Sequence, residues 1–158
     1  MRRLKASLDD LDTLLSELEA YRAKVEAAGP EIGHRLADIG MEAAVREATV
    51  MDAYDSGELV NGIRVEKTRL GGKVVSTAPH SAFVEFGTGI RGKNNPYPLP
   101  GLAGWRYDVN EHGEAGWFYY KEGAWHWTAG LPSRPYMYNA AKEVRKRLLK
   151  TAKEVMKS

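Results

Sequence analysis

The 158-residue chain contains no cysteine and no long apolar run. The absence of cysteine excludes a disulfide framework, a thiol nucleophile, an iron–sulfur cluster and cysteine-ligated zinc. A membrane-spanning helix needs roughly 18 consecutive apolar residues, and the basic N-terminus lacks the apolar stretch of a signal peptide. We therefore expect one domain, residues 1–158, that does not cross a membrane.

The net charge of +2 is unevenly distributed along the chain. Residues 1–60 carry 7 basic and 13 acidic side chains, a net charge of −6. Residues 142–158 carry 7 basic and 2 acidic side chains, a net charge of +5. A mild total charge argues against a dedicated nucleic-acid-binding protein. The opposed ends indicate complementary surfaces, within one molecule or between copies.

The segment 1–54 has the periodicity of helices. An apolar stripe at helical spacing predicts an amphipathic first helix. Its members are Leu4, Leu8, Leu11, Leu14, Leu15, Leu18, Tyr21 and Val25. Gly29 and Pro30 are typical of a helix end followed by a helix start. We therefore predict a second, alanine-rich and buried helix over roughly 31–54.

β structure is predicted next. In the segment 55–90, Ile63 and Val65 alternate with polar residues, and a hairpin turn is predicted at 70–73. The segment 91–131 is a Gly/Trp-rich insertion, and helix is not expected between residues 87 and 130. Aromatic residues recur there at i,i+2, which places each pair on one face of a strand. The pairs of this predicted aromatic β-meander are Trp105 with Tyr107, Trp117 with Tyr119, and Trp125 with Trp127.

The segment 132–158 predicts a C-terminal helix, with Ser133 as N-cap and Pro135 in the first turn. Its apolar stripe includes Leu148, and its opposite face is basic, including Arg145 and Lys146. The predicted fold class is α+β. A small antiparallel sheet is packed by the N-terminal helical region and the C-terminal helix, and the aromatic meander is an insertion.

The sequence offers no constellation that predicts catalysis, a cofactor or a metal. Residues 87–92 spell G-x-G-x-x-G, but no βαβ unit surrounds them, so a glycine-rich turn is the better interpretation. His34, His80, His112 and His126 are not at the i,i+3 or i,i+4 spacing of helical metal ligands.

Three motifs occur in a telling order. The first runs from Ser56 to Ile63, Ser-Gly-Glu-Leu-Val-Asn-Gly-Ile, with Gly57, Leu59 and Ile63 as its matched positions. The second is Phe83-Val84-Glu85-Phe86-Gly87-Thr88, and the third begins at Arg134-Pro135. Together they resemble a family of phage tail-completion, or head–tail joining (neck), proteins of long-tailed phages. The resemblance covers roughly residues 54–150, and the Val-Glu-Phe-Gly-Thr core is its most specific part.

The resemblance implies a non-enzymatic virion protein at the tail–head junction, assembled in the host bacterial cytoplasm. It implies a hexameric ring of this chain that contacts neighbouring neck and tail-tube proteins. A tail terminator or another tail-tube cap is the alternative within the virion. A small nucleic-acid-binding module and an enzyme with an unrecognised site are alternatives of other classes. With the first interpretation, contact with DNA is weak at most.

Two expectations about particular residues follow. A buried carboxylate is costly unless it is hydrogen-bonded, so we expect Glu85 to accept backbone amides of the glycine turn or an arginine such as Arg134. The candidate interface residues share aromatic or basic character. They are Trp105, Trp117, Trp125, Trp127, Arg145 and Lys146.

Overall fold

The computed structural model describes residues 8–51, 57–99 and 104–157. The helices are α1 (Leu8–Val50), α2 (Glu58–Asn61), α3 (Ser81–Phe86), α4 (Gly89–Asn94) and α5 (Tyr136–Lys157). The strands are β1 (Ile63–Thr68), β2 (Gly71–Ser76), β3 (Trp117–Lys121) and β4 (Ala124–Thr128). They form two separate two-stranded antiparallel sheets, β1–β2 and β3–β4. The predicted α+β fold class is confirmed.

The N-terminal region is a single helix, so the predicted break at Gly29 and Pro30 is wrong. α1 runs through Pro30 and is 43 residues long. A proline inside a helix removes one backbone hydrogen bond and crowds the carbonyl four residues earlier. That carbonyl belongs to Glu26, on the exposed part of the helix. The residues that follow are packed against the rest of the fold, and this packing outweighs the local cost.

The β1–β2 hairpin is confirmed, with a different turn. Thr68 pairs with Gly71, which leaves Arg69 and Leu70 as a two-residue loop and places both following glycines in β2. The hairpin lies directly on α1. A Cβ atom on Gly72 would come within 2.6 Å of the Ala37 side chain, so the strand approaches the helix closely. The glycines predicted to make the turn serve instead in this contact.

The core lies where the second half of α1, the hairpin and α5 meet, and it uses small side chains. Its buried members are Ala43, Ala44, Ala48, Leu59, Ile63, Ala78, Val84, Tyr136 and Ala140. The prediction that the alanine-rich part of the N-terminal region is buried is confirmed. Alanine permits the close helix approach on which this packing depends.

α5 packs antiparallel to α1 over part of its length. The Asn139 side-chain amide donates to the Glu47 carboxylate at 3.0 Å near the start of α5. Farther along, Gly40 of α1 faces Val144 of α5. At about 1.5 Å per residue, the 43 residues of α1 span about 64 Å and the 22 residues of α5 about 33 Å. The first part of α1 therefore projects beyond the C-terminal end of α5.

Two further expectations need correction. Helix was not expected after Gly87, yet α4 occupies Gly89–Asn94. Trp105 and Tyr107 lie in an irregular segment, so the predicted meander consists of only the β3–β4 hairpin. None of the helices in the described ranges combines the length and the apolar composition of a membrane-spanning segment.

Candidate functional site

The second motif contains a buried carboxylate that holds the start of α5. Glu85, on α3, is only 5% exposed. One carboxylate oxygen accepts the Met137 amide at 2.9 Å, and the other accepts the Tyr138 amide at 3.0 Å. The first amides of a helix have no partner within the helix and carry its positive dipole end. Glu85 therefore works as a helix cap supplied by a distant part of the chain.

The expectation that Glu85 accepts backbone amides is thus confirmed. The amides that it accepts belong to α5 and not to the glycine turn. Ser133, predicted to be the N-cap, instead donates from its hydroxyl to the Glu85 carbonyl at 2.6 Å. The Arg134 amide donates to the Val84 carbonyl at 2.8 Å. Pro135 follows immediately, and its carbonyl accepts the Asn139 amide at 3.0 Å. These bonds fix the entry of α5 against the end of α3.

Burial raises the pKa of Glu85 above its ordinary value. Hydrogen bonds from the Met137 and Tyr138 amides and from the Tyr97 hydroxyl oppose that shift. Burial, followed by the charge of Glu85, also raises the pKa of Tyr97. The Tyr97 ring packs edge-on between Phe86 and Tyr138, at centroid distances of 5.0 Å and 5.5 Å. The carboxylate is therefore enclosed by aromatic rings and by the end of a helix.

The glycine turn after Glu85 has a structural role. Gly87 has a φ of 81°, and a Cβ atom there would lie 2.7 Å from the Ser133 nitrogen. The Thr88 amide donates to the Leu131 carbonyl at 2.8 Å, and the Gly89 amide donates to the Tyr107 carbonyl at 2.7 Å. A dinucleotide site needs such amides to face a phosphate. Because these amides already have partners, the G-x-G-x-x-G sequence forms a packed turn that leads into α4 and not a phosphate site.

Trp105 belongs to the same cluster. Its indole nitrogen donates to the Gly87 carbonyl at 3.1 Å. Its ring lies 5.9 Å from the Phe83 ring and 5.0 Å from the Phe86 ring. Trp105 is half-buried. Through these contacts its side chain links the second motif to the insertion.

The first motif lies beside this cluster. Gly57 has a φ of 76° and precedes α2, which confirms the expected reversal there. Leu59 and Ile63 are buried in the core together with Val84. Ser56 is outside the described residues. The positions that carry the resemblance therefore bring together the start of β1, α3 and the entry of α5.

The β3–β4 hairpin has an uncovered aromatic face. In its register Phe118 pairs with Trp127 and Tyr120 with Trp125, so the four rings share one face. The centroids of the two pairs are 5.0 Å and 5.5 Å apart. The four side chains are 56–69% exposed. Phe118 and Tyr120 were missed in the sequence, although their i,i+2 spacing was a usable signal.

Trp117 lies on the other face of the hairpin and is half-buried. It lines a groove of about 300 Å³ with Val84, Thr88 and Leu131. The four predicted interface tryptophans are thus divided. Trp105 and Trp117 face the fold, and Trp125 and Trp127 face solvent.

A second uncovered surface is the projecting part of α1, residues 8–27, which we call the α1 extension. Every residue in it is exposed. Its apolar side chains, the leucine stripe, are 44–80% exposed. The described members of the stripe are Leu8, Leu11, Leu14, Leu15, Leu18, Tyr21 and Val25. The predicted amphipathic helix is present, but its apolar face is not covered by the same chain, because α5 ends before it. Leu4 is outside the described residues.

Arg145 and Lys146 are both exposed on α5. Lys146 lies 3.8 Å from the Glu143 carboxylate, and Arg145 lies at the edge of an apolar groove between α1, β2 and α5. The groove has a volume of about 500 Å³. Because α1 and α5 pack together in one chain, part of the acidic segment 1–60 lies against the basic segment 142–158. The α1 extension, with six acidic and two basic residues, remains outside that contact.

The histidines are dispersed. His34 Nε2 lies 2.9 Å from the Thr68 carbonyl, and His80 Nδ1 lies 3.7 Å from the Glu58 carboxylate. The His112 ring stacks beside Trp117, and the His126 ring stacks on Tyr119. In the part of the chain that the structure describes, no group of three or more histidine, aspartate or glutamate side chains is arranged to hold a metal.

Comparison of the chain with protein-family models, with curated proteins and with solved structures finds no match.

Proposed function

We propose that this chain is a structural protein of the neck of a long-tailed phage, which completes the tail and joins it to the head. It works as one copy in a closed ring, without catalysis. The observation that carries this proposal is the pair of apolar surfaces that a single chain leaves uncovered. Surfaces of this kind, bordered by polar residues, are typical of protein–protein contacts.

The α1 extension and the aromatic face of the β3–β4 hairpin are on different elements and have different chemistry. The extension is aliphatic and acidic, with exposed fractions of 44–80% along its stripe. The hairpin face consists of four aromatic rings that are 56–69% exposed. A ring subunit needs two unlike patches for its neighbours, and a junction protein needs further contacts along the axis. Two distinct surfaces suit that arrangement.

The position of the motif residues supports the choice of the neck family. Glu85 caps α5, Gly87 has no room for a side chain, and Arg134 is held by its amide against α3. Glu85 and Gly87 therefore have a physical reason to be the residues they are. The family resemblance therefore rests on residues that build one structural unit.

A tail terminator uses the same kind of ring, and the two roles differ in position along the virion. The genes next to this one are the first discriminator. Neighbours that encode portal, capsid and tail-tube proteins favour a virion role.

A nucleic-acid-binding module is the second candidate, and one observation favours it. Exposed aromatic rings such as Trp125 and Trp127 can stack on bases. Binding of this kind together with the basic face of α5 would be tight and sequence-tolerant. The neck proposal instead predicts weak binding that modest salt abolishes.

Deletion of the gene from its phage or prophage tests the proposal. We expect separate heads and tails, seen by electron microscopy, and recovery of joined particles when the gene is supplied on a plasmid. Recovery by the intact gene excludes an effect of the deletion on neighbouring genes, and a plasmid that carries a stop codon early in the gene is the control that recovery requires the protein. Tailed, infectious particles in the absence of this gene would contradict the proposed function.

A further inference from the structure

The α1 extension is long, apolar on one face and uncovered. From Leu8 to Val25 the leucine stripe spans about 26 Å at 1.5 Å per residue. Its side chains are 44–80% exposed, and Ala28 is the first buried residue of the helix. A helix with such a stripe is stabilised mainly by covering it.

The charges around the stripe argue against a second stripe. Asp12 and Glu19 lie along one border of the stripe, and Glu17 and Lys24 lie along the other. Arg22 is at stripe spacing, and its guanidinium is paired with the Glu26 carboxylate at 2.9 Å. The α1 extension has a net charge of −4, from six acidic and two basic residues. Two extensions side by side would bring together two segments that each carry a net charge of −4, which is unfavourable. A complementary occupant is apolar in the middle and basic at its edges.

One surface of the same chain has that composition, and we call it the α5 flank. Its apolar members are Ala141, Leu148, Leu149, Ala152 and Met156. Leu148 is 44% exposed and Leu149 is 72% exposed. Leu148 belongs to the predicted apolar stripe of the C-terminal helix, and it lies at the edge of the α1–α5 contact.

The α5 flank is bordered by positive charge and continues into a depression. Arg145 lies within it, and Lys142 and Lys153 are on the adjoining solvent face of α5. The apolar groove of about 500 Å³ adjoins it and is lined in part by Ala141, Val144 and Arg145. From residue 141 to residue 156 the flank spans about 22 Å, close to the length of the stripe.

We propose that the α1 extension of one copy docks on the α5 flank of a second copy, with the leucine stripe on Leu148 and Leu149 and the acidic borders beside the basic residues. The contact is heterologous, because each copy uses its extension for one neighbour and its flank for the other. Contacts of this type close into rings when the rotation between copies allows it. The inference rests on the ring assembly proposed above and names the two surfaces that form it.

Two blocked variants of the full chain test the docking. The stripe variant carries Leu11→Glu and Leu18→Glu, and the flank variant carries Arg145→Glu and Leu149→Glu. The matched control for the stripe is Ala20→Glu with Ala27→Glu, which adds the same charges at the same spacing on the opposite face of α1. The control for the flank is Lys150→Glu, on the other side of α5. All the replaced residues are exposed, so circular dichroism is expected to show unchanged folding.

Sedimentation velocity of each protein over a range of concentrations gives the oligomeric state. We expect the wild-type chain and both controls to form oligomers that grow with concentration. Each blocked variant alone is expected to be monomeric, with self-association weakened at least about 100-fold. An equimolar mixture of the two blocked variants is expected to form a 1:1 dimer and nothing larger, because one intact extension then meets one intact flank.

Three results would overturn the docking. They are a monomeric wild-type chain at high micromolar concentration, a flank variant that associates as the wild type does, and a mixture that stays monomeric. The second result would indicate pairing between two stripes, and the third would indicate a different partner for the extension. These readouts use purified protein, so they are separate from the test of function. If docking fails while gene deletion still separates heads from tails, only the assignment of surfaces is wrong.

Discussion

Replacement of Glu85 by alanine removes the cap of α5 from the centre of the fold. The carboxylate accepts two backbone amides, of Met137 at 2.9 Å and of Tyr138 at 3.0 Å, in a site where Glu85 is 5% exposed. Each amide left unpaired in a buried site costs about 1–3 kcal/mol. Removal of the buried charge relieves its desolvation and offsets part of that cost. The free energy of unfolding is therefore expected to fall by about 2–3 kcal/mol at neutral pH.

For a chain of this length, 1 kcal/mol corresponds to about 2–4 °C in Tm, so Glu85→Ala is expected to lower Tm by about 5–10 °C. Urea and thermal unfolding followed by circular dichroism measure both quantities. Glu154→Ala is the matched control, since the Glu154 carboxylate lies on the surface of α5, the helix that Glu85 caps, 3.9 Å from Lys150. An exposed pair of this kind is expected to contribute less than about 0.5 kcal/mol. Equal losses in the two variants would refute the capping role of Glu85.

Four further outcomes are expected. Burial raises the pKa of Glu85, so its native state holds the proton more tightly, and the stability of the wild type relative to Glu85→Gln is greatest below the ordinary glutamate pKa. Urea unfolding at several pH values should show that the difference in free energy of unfolding between wild type and Glu85→Gln declines as pH rises through the folded-state pKa. A difference that grows with pH would contradict a raised pKa. Gly87→Ala should cost several kcal/mol, because a Cβ atom there meets backbone, whereas Gly123→Ala, with a similar φ and open space, should cost only about 1–2 kcal/mol; denaturant midpoints that fall equally would contradict this. Iodide should quench the emission of Trp125 and Trp127 in the monomer, and this emission should shift to shorter wavelength when the chain assembles into particles. A spectrum already at short wavelength in the monomer would show that the two rings are buried within a single chain. DNA binding, followed by fluorescence anisotropy, should be weak and lost with modest salt, and a salt-resistant submicromolar complex would favour the nucleic-acid-binding module.

Local patterns were sufficient where the partner of a pattern is close in sequence. The alternation of Ile63 and Val65 predicted β1, and the nearby glycines predicted a return strand. The apolar period after Pro135 predicted α5. The aromatic pairs at i,i+2 predicted β3 and β4, since cross-strand pairing in a short hairpin depends on neighbouring residues.

Patterns failed where contacts distant in sequence decide the outcome. Pro30 predicted a break, but packing of the following residues on α5 and the hairpin keeps α1 continuous. Glycines at 87–92 predicted a turn without helix, but bonds from Thr88 and Gly89 to the segment 107–131 hold α4 in place. The amides that Glu85 caps are 52 and 53 residues away. No local signal specifies which amides those are.

The leucine stripe illustrates a different kind of limit. Its spacing predicted an amphipathic helix, and an exposed stripe of this size is unfavourable in water. A stripe does not specify whether the cover comes from the same chain or from another. The lengths of α1 and α5 decide that α5 of the same chain ends before the stripe.

A density map of the tail–head junction in assembled particles tests the central claim most directly. We expect a closed ring of copies of this chain between head and tail. In that ring, residues 8–27 of each copy would lie along α5 of the next, and the aromatic face of the β3–β4 hairpin would be buried against a neck or tail-tube protein. A complete junction built without this chain would contradict the proposed role in the neck.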